Sequence, residues 1–313
     1  MDVTLTQLRY FVEAAAQLSM TGASVRLNVA QSAVSAAIAQ LERHVGTQFF
    51  IRQRSKGLLL TPAGEMFLRD AQAILAHVEE SLDHARGETQ SLSGRIRLAC
   101  FNTVTPFLLP GVLTRLKTEH PALEVDVLEA DTAGCISALL SGQADLALCY
   151  DLDLPESLAT TVLDTARPYL AIPPEHALAE AGSVKLSAVK EEPFVLLDLP
   201  HSRDLMLSIA RRSGREPEVA FRSGSFETVR TLVSRGLGYS ILHQRPQHGM
   251  TYDGGRLAMV EIEDQVPELK TVLAHLRTQR PTARVRAVAQ AVRKQIDAAK
   301  TARARQQQAQ REG

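Results

Sequence analysis

Between residues 31 and 56 the chain carries two kinds of group that recognition of a polyanion requires. Gln31, Ser32 and Ser35 offer short uncharged hydrogen-bonding side chains at helical spacing, and Arg52-Gln53-Arg54-Ser55-Lys56 then holds three cations in five residues. Amide and hydroxyl groups on one helix face can enter the major groove of duplex DNA and bond base edges or phosphates without desolvating charge. Cations beside them can neutralise phosphates, where released counterions supply most of the sequence-independent affinity. Gln31 is the best base-edge candidate, with Ser32 and Ser35 next to it. Arg52, Arg54 and Lys56 are the expected phosphate and minor-groove anchors, and Thr21 on a neighbouring helix is a further contact candidate.

The elements that must hold these groups follow from apolar spacing. Leu8, Phe11, Val12, Ala15 and Leu18 recur with helical period, which predicts a first helix over about residues 5–18. A second, short helix follows with Thr21 as its N-cap and Ala23 and Leu27 inward, and Asn28-Val29-Ala30 forms a sharp turn. The third helix starts near Gln31 with Val34, Ile38, Leu41 and Val45 inward, leaving the polar residues above on its outer face. Phe49-Phe50-Ile51 and Leu58-Leu59-Leu60 bracket the cations as a two-stranded ribbon, a wing beside a helix-turn-helix. A bland alternative is a module of the same shape that binds no DNA.

From Pro62 onward Leu68, Ala71, Leu75, Val78, Leu82 and Ala85 repeat with three-four alternation, the pattern of a coiled-coil seam. A second copy of the same helix is the simplest partner, so Leu68, Leu75, Val78 and Leu82 are the dimerisation candidates, with packing on the following domain as the alternative. The polar stretch 87–94 ends this helix as a hinge.

With 313 residues, 45% of them apolar, the chain is long enough for two or three domains with proper cores. Its formal charge of zero hides an asymmetry: residues 1–62 carry six Lys and Arg against three acids, 63–275 carry 19 against 30, and 276–313 carry ten against two. The basic groups sit at the two ends, and the local field is what steers a nucleic acid. No apolar run approaches the roughly 18 residues that span a bilayer, and no export signal is evident, so a cytoplasmic location with no membrane partner is expected. Cys100, Cys135 and Cys149 are odd in number and lack metal-ligand spacing, so reduced thiols and no metal are expected. Cys100 and Cys149 each end an apolar run, and if those strands are neighbours their thiols could face one another as a redox switch, which leaves a redox-responsive regulator as an alternative.

The remaining two hundred residues alternate short apolar runs with helical segments, an α/β pattern with a mainly parallel sheet. Candidate strands are 96–100, 123–128, 145–149, 169–172, 194–197, 240–242 and 271–276. Candidate helices include 106–119, opened by Pro106, 132–141, followed by Gly142, and 225–235, closed by Gly236. His176, His201 and His243 could suggest acid-base chemistry. There is no nucleophile elbow, phosphate loop or His-x-x-x-His pair beside them, so neither an enzyme nor a cofactor is expected.

These stretches carry a resemblance. Leu8-Arg9-Tyr10-Phe11, the segment 21–42 with Gln31-Ser32-Ala33-Val34-Ser35 and Gln40-Leu41-Glu42, then Phe49-Phe50, Arg52 and Thr61-Pro62-Ala63-Gly64 resemble LysR-type transcriptional regulators. The similarity runs on through Leu108-Leu109-Pro110, the run 140–148, and Leu232-Val233 to Gly236-Leu237-Gly238. The resemblance implies a winged helix-turn-helix (1–61), a linker helix and hinge (62–93) and an effector domain (94–297) of the type 2 periplasmic-binding-protein fold. Within that domain it implies one subdomain of 94–164 and 267–297 and another of 165–266, with a disordered tail over 298–313. It also implies a homodimer or homotetramer on promoter DNA, a small-molecule effector in the cleft and contact with RNA polymerase. A secreted solute-binding protein shares the effector fold, but the missing export signal and the attached DNA module argue against it. Ala30 stands where the family commonly has Ser, and Ala36-Ala37 replaces basic or amide side chains, so specificity is expected to lean on DNA shape and the wing.

Ligands of such folds collect at the carboxyl ends of strands. Asn102, Thr103, Thr132, Ser202 and Phe226 are the effector-contact candidates, each with a bland alternative: Thr132 as a helix cap, Asn102 and Thr103 as turn residues, Phe226 as core. Arg203 could pair an effector carboxylate or lie on the surface.

Overall fold

The computed structural model of this chain describes residues 3–53, 57–85, 92–246, 248–279 and 281–312. Helix α1 (Leu5–Gln17) opens with a capping box in which Thr4 and Gln7 exchange side-chain and backbone bonds at 2.8 and 3.2 Å. Helix α2 (Met20–Leu27) is capped by Ser19, whose hydroxyl accepts the Gly22 N–H at 3.1 Å. This corrects the expectation for Thr21, which lies exposed in the first turn. A left-handed Asn28 at φ 54° then turns the chain into α3 (Gln31–Val45).

Val34, Ile38 and Leu41 of α3 are buried as the spacing predicts. Val45 is 44% exposed instead, because the helix stops at a left-handed Gly46 and its last turn extends past the core. Strands β1 (Phe50–Gln53) and β2 (Gly57–Leu60) pair antiparallel as the wing. Four of the nine phenylalanines close this small core: Phe11 meets Phe49, Phe50 and Phe67 at 5.1–5.3 Å between ring centres, and Phe49 stacks on Phe67 at 4.4 Å. Gly64 fits because a Cβ there would lie 2.2 Å from the Phe49 carbonyl oxygen.

Helix α4 (Pro62–Ala85) does not present the whole expected seam to a partner. Leu68 and Ala71 are already buried in the winged-helix core, and Leu75 packs against it, so the inner part of the stripe is taken by α1 of the same chain. Leu82 is exposed and Val78 half-buried; they continue a face begun by the exposed Ile74, four residues apart each time.

Two α/β lobes follow. The first contains β3 (Gly94–Phe101), α5 (Thr105–Glu119), β4 (Leu123–Ala130), α6 (Thr132–Leu140), β5 (Leu146–Tyr150) and β6 (Leu158–Ala166). The chain then enters the second lobe: β7 (Tyr169–Ile172), β8 (Ser183–Val184), β9 (Phe194–Leu197), α7 (Ser202–Ala210), β10 (Val219–Ser223), α8 (Phe226–Ser234), β11 (Ser240–Leu242) and β12 (Ala258–Ile262). It returns to the first through β13 (Leu269–Leu276) and α9 (Ala283–Glu312). The first sheet runs β4-β3-β5-β13-β6, with β4, β3 and β5 parallel and β13 antiparallel to both neighbours. The second runs β11-β7-β12-β8, and a bridge from Tyr239 to Phe194 joins it to the parallel pair β9-β10. The chain thus passes between the lobes twice, after β6 and after β12, which leaves a cleft where the strand ends meet.

The expected disordered tail over 298–313 is corrected as well, since α9 continues to Glu312. Val288, Ala291, Val292 and Ile296 anchor its first half in the core of the first lobe, and Lys300 reaches Asp164 at 2.7 Å. Once nucleated there, the Ala-, Arg- and Gln-rich sequence beyond propagates the helix readily.

Candidate functional site

Helix α3 presents Gln31 and Ser32 exposed at its first turn and Ser35 half-buried one turn later. Ala30 supplies no side-chain cap, so the N–H groups of that turn beside Gln31 have no side-chain acceptor. Such a helix end favours a phosphate oxygen. The wing is tied to the same helix by Glu42, whose carboxylate accepts the N–H groups of Phe49 at 2.7 Å and Phe50 at 3.1 Å. Arg52 lies on β1, its side chain outside the description, and Arg54 and Lys56 fall outside the described residues.

Linker and first lobe are joined by hydrogen bonds onto the turn after α6. Arg69 donates to the Leu140 carbonyl at 3.0 Å, and Gln72 donates to the Gly142 carbonyl at 2.9 Å. That same carbonyl accepts from Arg97 at 2.5 Å, and Arg97 in turn pairs with Asp145 at 2.6 Å.

Between the lobes lies a cavity of about 20 Å³, lined by Phe101, Thr103, Tyr150, Ser202, Phe226 and His243 among others. It has room for about one water molecule. Contacts across the lobes close it: Gln244 donates to the Tyr150 hydroxyl at 2.6 Å, which also accepts from Thr103 at 3.4 Å, and Phe107 meets Phe226 edge-on at 5.8 Å. Just before α7, His201 Nδ1 lies 3.4 Å from the Asp153 carboxylate, and both residues hold a left-handed backbone, φ 64° and 50°. Non-glycine residues in that region are strained, and such strain concentrates where function fixes the chain.

Of the five effector candidates the structure brings Thr103, Ser202 and Phe226 to one cavity. Asn102 is exposed, its N–H bonded to the Ala130 carbonyl at 3.0 Å, and Thr132 is buried in the first turn of α6; neither lines the cavity. Asp131, not Thr132, caps α6, accepting the Gly134 N–H at 2.8 Å. Arg203 is half-exposed and bonded to Asp198, which fits the surface reading. Tyr150 stands at one of the strand ends where ligands are expected to collect, though not as a named contact, whereas His243 and Gln244 lie outside the expected places. Applying the strand-end rule to β11, whose last residue is Leu242, would have found His243 and Gln244.

His243 is buried, and burial followed by the nearby Arg245 charge pushes its pKa down to about 4. Its Nε2 has no hydrogen-bond partner. Burial also raises the Tyr150 phenol above its ordinary value, so the hydroxyl keeps its proton at neutral pH.

The redox pairing of Cys100 and Cys149 is corrected by register. Strands β3 and β5 are neighbours, but Cys100 aligns with Leu148, which turns Cys149 to the opposite face of the sheet. All three thiols are free and buried, and desolvation raises Cys100 to about 11, Cys149 to about 12 and Cys135 in the same direction. Burial thus favours the protonated thiol at all three positions. Among the described residues no helix is long and apolar enough to cross a membrane, and no cluster of His, Cys, Asp and Glu could hold a metal.

Residues 5–65 match the family described as bacterial regulatory helix-turn-helix protein, lysR family, and residues 89–297 match the LysR substrate binding domain. The uncharacterized HTH-type transcriptional regulator YnfL of Escherichia coli K12 is 33% identical over 291 residues, which cover 91% of this chain and 96% of YnfL. A probable hydrogen peroxide-inducible genes activator of Mycobacterium avium is 34% identical over 249 residues, covering 77% of this chain and 78% of the relative. The crystal structure of HinK, a LysR family transcriptional regulator from Pseudomonas aeruginosa, superposes with a TM-score of 0.62 at 34% identity, covering 94% of this chain and 99% of HinK.

Proposed function

The chain belongs to the LysR family of transcriptional regulators, and from that premise we propose that it works in the cytoplasm as a switch on promoter DNA. Two or four copies grip an imperfect inverted repeat through α3 and the wing, and a small molecule in the cleft changes the relation of the two lobes. RNA polymerase reads the result through altered DNA shape or direct contact. The observation that carries the DNA reading is the pairing of an exposed Gln31 and Ser32 with an α3 locked from behind by Val34, Ile38 and Leu41. A rigid helix places its base-reading group reproducibly, which sequence selection needs. Helix α4 offers Ile74, Val78 and Leu82 to a second copy, while Leu68 serves the chain's own core.

The cleft contacts are Thr103, Ser202 and Phe226, joined by Tyr150, His243 and Gln244. Coupling to DNA runs through the Gly142 carbonyl that Gln72 of the linker shares with Arg97 of the first lobe. An effector moves this equilibrium tenfold if it binds one arrangement about 1.4 kcal/mol better than the other. Selection of duplexes from a random pool by the full chain, followed by sequencing, tests the DNA reading. Enrichment of a two-fold related motif is expected, and a pool that stays random after repeated rounds would refute it.

A further inference from the structure

The cleft is walled mainly by apolar side chains, Phe101, Leu197, Leu199, Met206 and Phe226 among them, and the polar groups set into that wall are uncharged. The hydroxyls of Thr103, Tyr150 and Ser202, the amide of Gln244 and the imidazole of His243 line it, and no Lys, Arg, Asp or Glu does so among the described residues. Cations in the neighbourhood are already engaged. Arg203 bonds Asp198, Arg245 pairs with Glu261 at 2.8 Å, and Arg230 holds Glu227 at 2.5 Å and the Met250 carbonyl at 2.7 Å. Helix α7 begins at Ser202 in the lining, and Asp204 in its first turn already answers the positive end of its dipole.

His243 gives the second, independent sign. Its Nε2 is buried without a partner in a chain whose other cleft groups, Tyr150, Thr103 and Gln244, bond one another. A buried polar atom left unpaired costs free energy that a ligand group placed beside it would recover. The same ring is held neutral by burial, so it offers a lone pair or an N–H and no positive charge. An ionised carboxylate in this place would lose its hydration, and the nearby Arg245 is already paired with Glu261.

Building on the effector-cleft reading, we propose that this cleft selects an uncharged effector, one that bonds His243 and donates an N–H or O–H to the Ser202 oxygen, whose own proton goes to the Leu199 carbonyl at 3.2 Å, over a carboxylate of the same shape. Entry requires the Phe107–Phe226 and Gln244–Tyr150 contacts to part, since the closed cavity holds only about one water. Ligand binding is thereby tied to lobe opening.

Ligand-observed fluorine NMR on the full chain tests this with two isosteric probes, trifluoroacetamide and trifluoroacetate. The amide is expected to show saturable line broadening, with binding about tenfold or more weaker in His243→Leu and in Ser202→Ala, and trifluoroacetate about tenfold or more weaker than the amide on the wild type. Ser202→Ala keeps the test open should His243→Leu fail to fold. Trifluoroacetate bound as tightly as the amide and weakened by the same substitutions would overturn the neutral selection and leave the cleft reading standing. If neither probe responds to either substitution, the cleft reading itself fails, and the proposal with it.

Discussion

Acidification should destabilise this protein through His243 in a way that one substitution removes. The imidazole titrates near 6.5 when free and near 4 in the fold, because burial disfavours its charged form. Between those values the unfolded chain binds a proton that the native chain does not, so stability rises with pH across the window and is lost as pH falls from 6.5 toward 4. At pH 5 the unfolded state gains about a thirtyfold proton-binding advantage at this one site, or about 2 kcal/mol; at pH 7.5 the contribution is close to zero. Urea unfolding of wild type and His243→Leu at pH 7.5 and pH 5, followed on the effector-domain transition, separates this site from the other histidines, whose effects cancel in the difference. The wild type should lose about 2 kcal/mol more than the variant between the two pH values. Equal losses in both proteins would show that His243 protonates freely in the fold and is not held neutral in the cleft.

Three further outcomes follow from the geometry. Ala30 holds a φ of −66° and ψ of 140°, a backbone that a capping side chain can use, so Ala30→Ser should stabilise the N-terminal module by about 1 kcal/mol and raise its calorimetric transition by about 4 °C; an unchanged or lower transition would contradict the uncapped end. Glu42→Ala strips two wing amides of a charged acceptor and should cost about 2 kcal/mol in urea unfolding and weaken DNA binding in titrations, whereas an unaltered wing would leave both untouched. The three buried thiols should react with Ellman's reagent only after denaturation, and rapid native labelling or a peroxide-induced disulfide would restore the redox reading.

How far the sequence reveals this molecule depends on which physical signal each element carries. Strands β7, β9 and β11 are short apolar runs buried on both faces, and their limits are legible to the residue. Strand β6 escapes because it edges its sheet with residues such as Thr160, Thr161 and Val162 exposed, leaving no apolar run to find. Helix α7 escapes too, since Pro200-His201-Ser202-Arg203 reads as a loop and its entry depends on a left-handed His201 that only tertiary contacts sustain.

The same limit governs the sites. Gln31 and Ser32 are visible as the outer face of an amphipathic helix, a local property. The heptad stripe of α4 is also local, but whether Leu68 meets a second chain or α1 of its own depends on tertiary packing that spacing cannot encode. Cys100 and Cys149 turn on one residue of strand register, which sends their side chains to opposite faces. Tyr150, His243 and Gln244 come together only because the chain passes twice between the lobes, and their role rests on that topology.

The central claim is that α3 reads a DNA sequence, and a salt-controlled mobility-shift comparison of wild type and Gln31→Ala tests it most directly. DNA adjoining the protein's own gene serves as the candidate site and an unrelated duplex as the reference. Wild type should prefer the candidate site, and Gln31→Ala should lose most of that preference while retaining its affinity for the unrelated duplex and the slope of binding against salt. Equal losses on both duplexes would remove Gln31 from base reading, and a wild type that binds both alike would contradict the account.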